Sequence, residues 1–195
     1  MKAMMGTVVI GIGMVMVGMA GHAQASGLGT AETITGYGPY QFGIPLQQVK
    51  GEADCRPDTI VFRSGLRAMN LGVPGIVCNK KIQVAVGITR VTRPGDLTLN
   101  FVGGHLVSLD LMIHDTNEGW PNSSLDTDLW WAVRHSLDMV YSERLVTLDD
   151  DDLLIIRDRQ GNELVAHVSS GGSLNPKAIL VTYTSTAAHR AAGGF

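Results

Sequence analysis

Between residues 97 and 113 the chain alternates twice. Leu97, Leu99 and Phe101 stand against Thr98 and Asn100, and then Val107, Leu109, Leu111 and Ile113 stand against Ser108, Asp110 and Met112. A period of two marks strands with one buried face, so this stretch predicts a β-hairpin. The faces decide its turn. A two-residue turn at Gly103-Gly104 pairs Leu99 with Ser108 and mixes apolar with polar. A three-residue loop, Gly103-Gly104-His105, pairs Phe101 with Val107, Leu99 with Leu109 and Leu97 with Leu111, so the expectation is the longer loop with a glycine at positive φ.

A different period follows. After a polar loop over residues 114–124, Asp126 is placed as a helix N-cap and residues 127–142 carry helical spacing. Leu129, Val133, Ser136, Leu137 and Val140 share one face, flanked by Trp130 and Tyr141, while Trp131, Arg134, His135 and Asp138 lie opposite. Residues 82–86 alternate as a strand, 153–156 and 164–168 form a second hairpin around a Gln-Gly-Asn turn, and 178–184 form a last strand. At the front, the aromatic stretch 37–44 reads as a strand, and Pro45 opens a short helix that puts Leu46 and Val49 on one side. Residues 56–79 mix Pro, Gly and apolar positions without a period and read as a loop, and Arg93-Pro94-Gly95-Asp96 reads as a turn. Residues 26–36 and 185–195 are small and polar, and are expected to be a flexible N-terminus and a disordered tail.

The expected fold class is therefore α+β: one domain over residues 37–184, with an antiparallel sheet of hairpins packed against one long helix, a short N-terminal helix and one disulfide. Alternation on the first hairpin suggests a sheet whose second face is solvated.

The first 25 residues change where this domain works. Lys2, an apolar run over residues 7–20 and the small-x-small site Ala23-Gln24-Ala25 make a secretory signal peptide, too short and glycine-rich to span a bilayer. No transmembrane span is expected after processing, and no cysteine follows the cleavage site to carry a lipid. The chain's two cysteines, Cys55 and Cys78, both survive cleavage, and an even pair in an exported protein favours a disulfide. Periplasmic or secreted localisation follows.

Charge is unevenly spread. Residues 50–93 hold eight Lys and Arg against three acids, and residues 96–163 hold fourteen acids against four Arg. The expectation is that the two halves face each other across the fold. An acidic balance without a recognition motif argues against nucleic acid.

Chemical signatures are sparse. The five histidines after the leader fall in no metal-ligand spacing, so no metal is expected, and no serine-hydrolase elbow, phosphate loop or dinucleotide fingerprint indicates a catalytic residue or a cofactor. Asp110, His114 and Asp115 approach an acid–base grouping, but Asp110 and His114 lie about 13 Å apart along a strand. The run 149–152 lacks EF-hand spacing and reads as a solvated charge cluster guarding the strand after it. Trp131 is the sharper feature. Beside Arg134 and His135 it forms the expected binding patch, anchoring a partner or a sugar unless residues 119–125 or the tail fold over it.

The segment Tyr40-Gln41-Phe42-Gly43-Ile44-Pro45-Leu46-Gln47-Gln48-Val49, the 97–113 hairpin and the helix-then-strands second half resemble, in outline, the small exported bacterial modules related to the outer-membrane assembly small lipoprotein. The resemblance spans residues 37–183 and implies a Phe-Gly-hydrophobic opening, a short helix and a meander of strands. It carries over no functional residue, and because the chain lacks the lipid-attachment cysteine the family's membrane tethering and assembly roles do not carry over either. The functional expectation is an exported cell-envelope, non-catalytic binding domain for an envelope protein or small ligand. The alternative is an envelope hydrolase, or a hydrolase inhibitor, with a site near His114 and Trp120.

Overall fold

The computed structural model describes residues 31–64, 67–86, 91–114, 127–169 and 178–191. Residues 1–25, read as a signal peptide, and Asp115, Trp120 and Asp126 lie outside them. Two short strands, β1 (Gly36–Tyr37) and β2 (Tyr40–Gln41), pair with each other, and a 3-10 turn at Leu46–Gln48 follows. Eight strands then make one antiparallel sheet: β3 (Asp54–Ser64), β4 (Arg67–Val86), β5 (Val91–Val102), β6 (His105–His114), β7 (Val146–Asp150), β8 (Leu153–Arg157), β9 (Glu163–Ser169) and β10 (Ala178–Thr184). Helix α1 (Thr127–Val140) joins β6 to β7, and α2 (Thr186–Ala191) follows β10. The sheet order is β3-β4-β5-β6-β10-β9-β8-β7, two meanders joined where β6 meets β10.

This corrects the expected α+β class. The protein is mostly β, because the stretch 56–79 that reads as a loop forms β3 and most of β4, and Arg93-Pro94-Gly95-Asp96 lies within β5. Proline normally argues against a strand by withholding an N–H. Here Pro57 is on the edge strand β3, Pro74 pairs with β3 before β5 joins at Ile76, and Pro94 pairs with β4 before β6 joins at Gly95. Each sits where the sheet has one neighbour. At Gly75 an added Cβ would come within 2.5 Å of the Phe101 carbonyl, so glycine lets the β3–β4 arm leave the sheet there.

The β5–β6 hairpin keeps the expected register at Leu97–Leu111 and Leu99–Leu109, but its turn differs. Val102 pairs with His105 across two glycines at φ 59° and 81°, and a bulge between Asn100 and Phe101 restores the faces. The extra residue is Val107. Its side chain joins Ile60, Phe62 and Ala188 in a second small core, and its carbonyl accepts the Ser185 N–H. That anchor is why residues 186–191 form a docked helix where composition suggested a disordered tail.

One face of the sheet carries the main core, with Leu99, Leu109, Leu111, Leu164, Ile156 and Val181 among its members. Leu129, Trp130, Val133 and Leu137 of α1 cover it, as the helical spacing predicts, while Val140 is partly exposed. The N-terminal segment completes the cover. Ala31 bonds to the C-terminal end of α1, Ile34 is fully buried and Leu46 bonds to Gly104, so order begins within the stretch expected to be flexible.

The opposite face is polar yet largely buried. Asn79, Thr98, Asp110 and Thr182 line up across β4-β5-β6-β10, and Asn100, Ser108, Thr184 and Glu163 line up across β5-β6-β10-β9. Asn100 donates to Ser108 at 3.0 Å and Thr182 to Asp110 at 2.7 Å. The arm of β3 curls over these rows and approaches β10, so the face expected to be solvated is closed off instead.

Candidate binding surface

Helical periodicity puts residues 131, 134, 135, 138 and 139 in one stripe, and α1 buries its other side, so this stripe faces outward. Trp131 is 54% exposed. The Arg134 guanidinium stacks over its indole, 4.9 Å from the ring centroid, and the same guanidinium pairs with Asp149 of β7. The pair ties the helix to the edge strand and holds the ring's cation in place. His135 and Asp138 are exposed beside it, and Met139 is 46% exposed. Partial desolvation by its neighbours raises the Asp138 carboxyl from its ordinary value against the pull of Arg134, with Asp149 adding to the rise. Trp131, Arg134 and His135 thus share one surface. Residues 119–125, the proposed cover, lie outside the described residues.

The Asp110–His114 grouping is not assembled. Asp110 accepts from Thr182, whereas His114 Nε2 lies 2.7 Å from Asp96 Oδ2, a partner on the neighbouring strand. Lys81 pairs with the other Asp96 oxygen. That hydrogen bond, followed by the one to His114, lowers the Asp96 carboxyl below its ordinary value despite partial burial. Both carboxylate oxygens are therefore engaged. The polar rows nearby enclose a cavity of about 30 Å³ beneath Val61 and Phe62, room for a water or two rather than an organic ligand.

Cys55 and Cys78 face each other across β3 and β4 and form a disulfide. Among the described residues no group of three or more His, Cys, Asp or Glu side chains could hold a metal, and no helix is long and apolar enough to cross a membrane. The two charged stretches meet where Lys81 pairs with Asp96 across β4 and β5, and elsewhere they diverge. Sheet order sends the basic stretch to the β3-β4-β5 side and Asp149 to Asp152 to the β7-β8 edge. No family model, curated protein or solved structure matches the chain.

Proposed function

We propose that this chain is an exported, non-catalytic binding domain of the cell envelope that engages a partner through the outer stripe of α1, with Trp131 as anchor. The observation that carries the reading is a large aromatic left 54% exposed while its neighbouring guanidinium is held over it by Asp149. Aromatic and arginine side chains dominate interface energetics, and a side chain already fixed loses less entropy on binding. The Cys55–Cys78 disulfide is compatible with an oxidising compartment, periplasmic or secreted.

Trp131→Ala should leave the denaturation midpoint within the range of a surface change and weaken an envelope partner by about tenfold or more. Purified protein and its variant, each immobilised and exposed to the same envelope extract, test this. Equal retention of every partner, or a large loss of stability in the variant, rejects the anchor.

The His114–Asp96 contact gives the hydrolase alternative its one specific support, since a catalytic histidine needs a carboxylate to orient it. Lys81 on the same carboxylate favours a structural ion cluster. Activity against an envelope substrate that disappears in His114→Ala would favour the enzyme.

A further inference from the structure

Taking the outer stripe of α1 as the binding surface, we propose that its partner is a cationic polypeptide segment, rich in Arg or Lys and lying across Trp131 toward the aspartate run of β7. The indole already accepts a cation on its face in Arg134. That charge is not available to attract an anion, because Asp149 neutralises it. Beyond Asp149 the chain continues through Asp150, Asp151 and Asp152, all exposed and without an ion pair among the described residues. Three residues of chain reach at most about 11 Å, so these carboxylates begin at the patch and extend it.

The surface that starts at the Arg134–Asp149 pair and continues through Asp150, Asp151 and Asp152 is therefore acidic. It repels nucleic acid, anionic lipid headgroups and acidic peptides, and it favours guanidinium and ammonium groups. Met139, about two turns further along the same stripe from the ring, supplies apolar surface on which the aliphatic stems of Arg or Lys can lie. An aromatic ring, a methionine and an unneutralised acidic run make a surface complementary to a basic segment in both its charged heads and its carbon stems.

Fluorescence anisotropy with a labelled decapeptide of alternating arginine and serine, titrated with the processed, oxidised protein, tests this. The expected result is saturable binding that weakens with added salt. It should fall by about tenfold or more in Trp131→Ala and again in the triple variant Asp150→Asn, Asp151→Asn, Asp152→Asn, while a glutamate-serine decapeptide does not bind. Undiminished binding in Trp131→Ala would reduce the effect to diffuse charge attraction and overturn the proposal, as would equal binding of the acidic peptide or no binding at all. Self-association in sedimentation that these same substitutions abolish would also overturn it, by assigning the surface to a second copy's basic end. Extract capture that depends on Trp131, with no binding of the cationic peptide, would reject the cationic partner and leave the binding surface standing.

Discussion

At Asp158 one buried carboxylate accepts hydrogen bonds from the Ile34, Gln160 and Asn162 backbone N–H groups and from the Asn162 side chain. Asn162 in turn accepts from the Thr186 backbone, so this residue pair ties the N-terminal segment, the β8–β9 turn and α2 together. Removing the acceptor leaves several buried donors unpaired, and Asp158→Ala should cost about 3 kcal/mol or more in urea denaturation. A cost under about 1 kcal/mol would mean that water replaces the carboxylate freely. The tyrosines make a separate residue-scale prediction. Burial pushes Tyr37 and Tyr141 up to about 12 and raises Tyr183 well above its ordinary value of 10.0. Neutral tyrosine is thus favoured in the native state, and the corresponding stability is full below pH 10 and lost as pH rises from there through the native values. Tyrosinate absorbance should show these three of the four tyrosines ionising above about pH 11, together with loss of circular dichroism. Ionisation of these three near 10 in a folded protein would contradict the burial.

Among the elements, the β5–β6 hairpin separates its two faces energetically. Leu109→Ala empties a fully buried site and should cost about 2–5 kcal/mol. Ser108→Ala should cost about 1–2 kcal/mol, because Asn100 loses its acceptor in a place shielded by the β3 arm. A neutral Ser108→Ala in denaturant titration would show that this face is wetter than its burial implies. The same hairpin shows what a sequence can reveal. Parity alone identifies Leu97, Leu99, Leu109 and Leu111 as one face, but a three-residue loop and a two-residue turn with a bulge give those residues the same pairing. The alternatives differ only in whether Phe101 meets Val107 or Leu106, which hydropathy cannot distinguish. β3 and β4 are hidden for another reason: Pro57, Pro74 and Gly75 are acceptable only because those positions lack a second neighbour or need close approach, which are facts of the sheet order. For the candidate surface, the outward position of Trp131 is legible from the helical period. The His114–Asp96 contact is not, because its members lie 18 residues apart and meet only through register.

For the whole molecule, the sheet order decides which parts are bound from both sides. β5, β6, β8, β9 and β10 have strand neighbours on each flank, whereas β3 and residues 67–75 of β4 hydrogen-bond as strands only to each other. Cys55 and Cys78 clamp that arm at its root, where β4 is also paired to β5 at Leu99. Closing a loop of this size contributes about 3 kcal/mol in the chain-entropy account. In the oxidised protein the arm's curled end is further held by the contacts of Ile60 and Phe62 with Val107 and Ala188. Reduction should therefore act unevenly under native conditions. Hydrogen exchange should show the β3 amides opening first and losing most protection, while Leu109 and Leu111 in β6 lose no more than the global stability change. Denaturant titration should place that global change near the 3 kcal/mol expected of the cross-link. Protection lost equally along β3 and β6 would instead make the arm part of one cooperative unit with the central strands, and would mean that the second small core, more than the disulfide, holds it to the sheet.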